Sequence, residues 1–198
     1  MKKILALVIF CSLLSVNYVF SQRGSHFSVQ YEVSFATGDL GDYISKPSFR
    51  GFSLQYRYAV TDFLLLGADA GWNVFYERKD YDSYTVGTAT LSGVQWRTQN
   101  EVPLLVAADY MIMPDNKVTP YIGFGLGTIY SERATDMGTW RYLQNPWQFA
   151  IKPEIGVLID MSSTTSFKLS AKYLTAFKAG DLETQGYFTI AAGLAFGF

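Results

Sequence analysis

Residues 186–198 read Gly186-Tyr187-Phe188-Thr189-Ile190-Ala191-Ala192-Gly193-Leu194-Ala195-Phe196-Gly197-Phe198. Taking every second residue gives Phe188, Ile190, Ala192, Leu194, Phe196 and Phe198, a wholly apolar set. The residues between them are Tyr187, Thr189, Ala191, Gly193, Ala195 and Gly197, small or polar. Side chains of a strand alternate between its faces, so this stretch predicts a strand with one greasy side. In water such an edge invites aggregation. As the closing strand of a barrel in lipid, its apolar face meets hydrocarbon and both of its edges are paired.

The other end of the chain is consistent with export. Met1-Lys2-Lys3 is a short basic region, Ile4 to Val16 is almost unbroken apolar sequence, and Val19-Phe20-Ser21 precedes a candidate cut. This layout predicts a signal peptide over residues 1–21, cleaved after Ser21, with an uncleaved anchor as the alternative. Cys11 lies inside the apolar region, and Phe10 before it is too large for a lipoprotein cleavage site. Cleavage would remove two lysines and no acid, taking the net charge from -1 to -3. That is no footprint for nucleic acid, which calls for a basic face. Cys11 is the only cysteine, so residues 22–198 can host neither thiolate catalysis nor cysteine metal sites, and a disulfide-free chain suits an oxidising periplasm. Hydrophobic residues make up 49% and aromatics 17%. After the leader, nonetheless, no run approaches the roughly 18 apolar residues of a membrane helix.

Eight segments alternate. Phe27, Val29, Tyr31, Val33 and Phe35 oppose Ser28, Gln30, Glu32 and Ser34 in the first, over 26–37. The others span 49–60, 63–77, 92–112, 118–131, 147–160 and 166–176, followed by the terminal strand. Connections alternate in length: long at 38–48, 78–91, 132–146 and 177–185, short at 61–62, 113–117 and 161–165. Outer-membrane barrels have short periplasmic turns and longer external loops. The expected fold is therefore all-β: an eight-stranded antiparallel up-and-down transmembrane barrel over 22–198, with both termini periplasmic. A soluble lipocalin-like barrel would turn its apolar side chains inward. The glycine- and alanine-rich polar face argues against that, since it suits a narrow interior better than a solvated surface.

Three stretches carry a family resemblance: Val102-Pro103-Leu104-Leu105 running on to Tyr110, Pro120-Tyr121-Ile122-Gly123-Phe124-Gly125-Leu126-Gly127, and Gly193-Leu194-Ala195-Phe196-Gly197-Phe198. Together they resemble the outer-membrane β-barrel domain family, the small OmpA-, OmpX- and OmpW-like barrels. The resemblance implies that Leu194, Phe196 and Phe198 form the signal read by the outer-membrane assembly machinery. It leaves function open, because members are pores, adhesins, stability factors and enzymes.

The inward face collects Glu32, Asp69, Glu101, Asp109 and Glu154 with Arg57, Arg97, Lys152, Lys168 and Lys172. An eight-stranded barrel is only wide enough for its side chains to fill it. Charges there must pair or meet water. A paired polar filling is expected, with a narrow polar path as the alternative; Gly123, Gly125 and Gly127 would either leave room for such a path or let facing side chains pack close. Tyr76, Tyr130, Trp147 and Phe188 are candidates for the outer aromatic girdle, and Tyr58, Tyr110 and Phe167 for the inner one. Some barrels of this kind edit lipid A with a histidine near the outer surface. The sole histidine, His26, begins the first strand at the periplasmic end and is expected to be an ordinary interfacial residue. The acids Asp80, Asp82, Glu132 and Asp136 fall in expected loops, and no zinc, phosphate-loop or calcium-loop spacing occurs. The expectation is a non-enzymatic barrel without cofactors, with a structural or surface-interaction role. Its partners would be outer-membrane lipid, lipopolysaccharide and the assembly machinery, and it is expected to be a monomer that binds no nucleic acid. The alternative is a porin-like channel for small hydrophilic or amphipathic solutes. A further periplasmic peptidoglycan-binding domain is not expected.

Overall fold

The computed structural model describes residues 24–86, 89–114 and 116–197. The predicted leader and Phe198 lie outside the described residues. In chain order the elements are β1 (Ser25–Thr37), α1 (Gly38–Tyr43), β2 (Ser48–Ala59), β3 (Leu64–Val86), β4 (Ala89–Met111), β5 (Val118–Met137), β6 (Trp140–Gln144), β7 (Trp147–Asp160), β8 (Thr165–Ala176) and β9 (Gln185–Gly197).

Neighbouring strands pair antiparallel, and β4 also pairs with β5, so β1, β2, β3, β4, β5, β7, β8 and β9 close into a ring of eight. The seam lies between β1 and β9, where Phe27 faces Phe196, Val29 faces Leu194 and Phe35 faces Phe188. The ninth strand, β6, is not part of the ring and pairs only with the far end of β5.

The stagger of the barrel follows from its register. One path from Glu32 runs through Gly51, Asn73 and Glu101 to Ser131 on β5. The opposite path runs through Ala191, Ser170 and Gly156 to Tyr121, ten residues away on the same strand. With strands about 4.8 Å apart and a rise of about 3.3 Å per residue, that stagger tilts the strands by about 40°.

Polarity is inverted relative to a soluble barrel. Val106 and Ile155 on the outside are 60% and 61% exposed, while Arg57 and Lys168 inside are fully buried. Outward aromatics gather at two levels. Toward the long loops Tyr76 stacks on Trp96, Tyr130 lies against Trp147 and Phe35 meets Phe188. Toward the short turns Phe63 stacks on Tyr110, and Tyr58 and Phe167 are half-buried. On the tilt and rise above, the 13 residues from Phe63 to Tyr76 climb roughly 33 Å along the barrel axis, enough to bracket the roughly 25 Å apolar band of an outer-membrane barrel. No described helix is long and apolar enough to cross a membrane; the strands do the crossing.

Two expected loops prove to be mostly strand. The expected loop 78–91 is largely a hairpin of β3 and β4, with Lys79 opposite Gln95 and Ser83 opposite Ser92. The expected loop 132–146 is the hairpin of β5 and β6. Beyond the hydrocarbon an outward face need not be apolar, so these segments lack the apolar alternation that marks a strand in lipid. The segment 38–48 also contains α1, entered through Gly38 at φ +57°, a conformation open to glycine.

Leu126 is an outward residue on β5, and the register places it near mid-height between the aromatic levels. Leu126→Arg is expected to cost about 2–4 kcal/mol of folding stability in phospholipid vesicles. Unchanged stability would mean that this face does not meet hydrocarbon.

Candidate functional site in the barrel interior

Alternation puts Ser28, Gln30, Glu32, Gln55, Arg57, Asp69, Asp109, Lys152, Glu154, Lys168 and Lys172 inside, all buried. Eight of the ten charged residues identified from the sequence meet in one network. Arg57 donates through Nε to Asp109 at 2.7 Å and through Nη1 to Asp69. Lys152 bridges Asp69 and Glu154, the latter at 2.8 Å. Lys168 lies 3.9 Å from Asp109 and 3.8 Å from Glu154, donates to Gln55 at 2.6 Å, and sits 4.6 Å from the Tyr121 ring centroid. Lys172 donates to Glu32 at 2.8 Å and to Gln30 at 2.9 Å. Four cations thus face four carboxylates. Pairing of this kind is what allows charge to sit out of water at all.

The other two residues are placed elsewhere. Glu101 belongs to a second, mostly neutral group nearer the long loops. It accepts from Gln99 and, at 2.7 Å, from Ser131, while Gln185 links Gln99 and Gln148. Arg97 is half-buried above that group, where it donates to Gln95 at 3.0 Å and to the Tyr43 carbonyl at 2.9 Å.

Counting charges alone missed the glutamines, Asn73, Tyr121 and Arg133. Gln30, Gln55, Gln99 and Gln148 are almost completely buried, and Tyr121 donates to Glu154 at 2.6 Å. The alternation that flagged their charged neighbours was available for each of them. The glycine run on β5 makes room for facing side chains: a Cβ at Gly125 would touch Leu105 and Lys152 at 3.4 Å. His26 is not interfacial. It lines the short-turn mouth, a bowl of about 350 Å³ shared with Asp62 and Asp160, because it lies on the same face as Ser28. Its Nε2 is buried without a hydrogen-bond partner among the described residues.

The long-loop mouth is stoppered by the segment after β1. Leu40 and Ile44 are fully buried against Phe75, Ile129, Ala150, Leu174, Ala176 and Tyr187. Ser45 ties the segment down, donating to Glu77 through its amide at 2.7 Å and its hydroxyl at 3.0 Å. Glu77 lies above the outer aromatic level. Burial pushes its carboxyl up, but the bonds from Lys79 and Ser45 outweigh that and hold it below the usual glutamate value. Between stopper and charge network lies a cavity of about 30 Å³, bordered by Leu105, Leu174, Tyr187, Lys152 and Lys172. That is room for one or two waters and no larger solute. Among the described residues, no cluster of His, Cys, Asp or Glu is arranged to hold a metal ion.

Arg57→Leu would leave Asp69 and Asp109 without their shared guanidinium. The expected loss is about 3–5 kcal/mol, read by urea unfolding in vesicles. A loss under about 1 kcal/mol would show that the pairing contributes little to the fold.

No family model matches the chain, and no curated protein matches it. Solved structures do. Neisserial surface protein A is similar at a TM-score of 0.59 and 14% identity, over 88% of this chain and 97% of that one. Ail, the attachment invasion locus protein of Yersinia pestis, gives 0.56 and 14%, over 89% and 99%. A major outer membrane protein from Thermus thermophilus gives 0.54 and 14%, over 88% and 99%. At these identities the likeness is one of fold. From the closed ring, the inverted polarity and these similarities, the chain is a small eight-stranded transmembrane β-barrel of the outer-membrane type.

Proposed function

We propose that the protein is a monomeric, non-enzymatic barrel of the bacterial outer membrane, with both termini periplasmic. It would serve a structural or surface-interaction role, with its interior a structural filling rather than a conduit. The observation that carries this reading is the double closure of the lumen. Four carboxylates and four cations interlock in its centre and lower part, and Leu40 and Ile44 stopper it above. Ion pairs so far from water are held by geometry, and a solute would have to break several at once.

The long-loop end is the surface left for interaction. Trp140 and Tyr142 on β6 and Tyr81 on β3 are all well exposed, and side chains of this type supply binding hot spots. The structure of Ail has also been solved with the heparin analogue sucrose octasulfate. For the present chain, lipopolysaccharide phosphates and outer-membrane lipid are the proposed surroundings. Leu194, Phe196 and Phe198 are the proposed address for the assembly machinery.

Planar-bilayer recording of the refolded protein tests the closed lumen. No discrete conductance steps are expected. Reproducible single-channel steps would overturn the reading in favour of a narrow channel for small hydrophilic or amphipathic solutes.

A further inference from the structure

The stopper is fastened by the kinds of groups a small ligand would bring. Asp39 places its carboxylate 3.0 Å from Arg133. The Tyr43 ring lies near two guanidiniums, its centroid 5.0 Å from that of Arg97 and 4.4 Å from that of Arg133. Its hydroxyl donates to the Ala134 carbonyl at 2.8 Å and lies 2.6 Å from the Thr135 hydroxyl. Leu40 and Ile44 fill the apolar cup beneath.

Cup and stopper differ in how they are held. Phe75, Ile129, Ala150, Ala176 and Tyr187 come from β3, β5, β7, β8 and β9, where ladder pairing fixes their backbones. Arg97 and Arg133 sit on the β4–β5 ladder, opposite Thr135 and Gln99. The backbone of the cup is therefore held by strand pairing independently of the stopper. The stopper has little structure of its own. Its helix has six residues, Thr37 gives it no side-chain cap, and it is entered through Gly38 in the left-handed region. A helix that short has no independent stability in water, so it holds its shape only while docked.

We infer that Gly38–Ile44 is a built-in occupant of a binding cup at the long-loop mouth, and that the exchangeable ligand of this cup is a small aryl carboxylate. The ligand's carboxylate takes the place of Asp39 on Arg133. Its ring takes the place of Tyr43 beside the guanidiniums, where cation–π attraction adds to burial. Any aliphatic tail enters the apolar cup in place of Leu40 and Ile44. Stopper and ligand compete, so the apparent affinity equals the intrinsic one reduced by the fraction of molecules with the stopper out. The site does not depend on whether the lumen conducts.

Calorimetric titration of the nanodisc-embedded protein with 3-(4-hydroxyphenyl)propionate tests the inference, since that probe joins the two groups contributed by Asp39 and Tyr43. Asp39→Asn combined with Tyr43→Ala releases the stopper and is expected to tighten binding about ten-fold over the unaltered protein. Adding Arg133→Gln to the released protein is expected to reverse the gain. The corresponding alcohol, 3-(4-hydroxyphenyl)propanol, should bind no better to the released protein than to the unaltered one. If the double variant does not fold, Glu77→Gln loosens the Ser45 tie without altering the cup and should also tighten binding. Equal affinity with the stopper fastened and released, or equal binding of acid and alcohol, would overturn the inference.

Discussion

In hydrocarbon a backbone amide has no water to fall back on, and the rest of the structure depends on that constraint. Each strand crossing the lipid must be paired along both edges. The pairing of β1 with β9, Phe27 against Phe196 through Thr37 against Gly186, meets this demand by closing the ring. Closure then sorts the side chains. Outward positions become apolar, as at Leu104, Ile122 and Ile190, and inward positions must accommodate one another in a narrow bore.

The bore is narrow enough that its contents are chosen by complementarity. A ten-residue stagger over eight strands makes a bore that inward side chains can fill, and the cavity beside Lys152 and Lys172 measures only about 30 Å³. Arg57 can therefore sit at zero exposure only because Asp69 and Asp109 flank it, and Lys168 only because Gln55, Asp109 and Glu154 surround it. Each cation removed would leave carboxylates stranded, so the filling is specified as a set. The apolar stopper lies above this set, at the height of the outer aromatic level, where the bore is lined by Phe75, Ile129 and Tyr187.

Much of this was legible in the residues. The terminal strand fixes the inside and outside of β9 by simple alternation, and the eight barrel strands and their short turns follow the same rule. Legibility ended where lipid ended. Glu77 to Tyr84 and Ser131 to Met137 are strand beyond the hydrocarbon, where no outward face has to be apolar, so they carry no apolar stripe. The stopper was invisible for a different reason. Leu40 and Ile44 are lone apolar residues in a polar segment, and their burial depends on a cluster assembled from six strands. Alternation placed Gln30 on the polar face, but the interior glutamines were left out of the network because uncharged polar residues do not announce a burial cost, although buried amides must be satisfied as strictly as charges. His26 shares the inward face of Ser28 and Gln30, but its position at the strand's end disguised that.

The central claim is that the apolar face meets lipid while the opposite face fills the bore. Contacts between lipid acyl protons and methyl groups, observed by NMR on the methyl-labelled protein in nanodiscs, test it most directly. The account predicts acyl contacts at the outward Leu104, Val106, Leu126 and Leu169, and none at the inward Leu105, Ile129 and Leu174. Acyl contacts at Leu105 or Leu174, with none at Leu104 or Leu126, would contradict it.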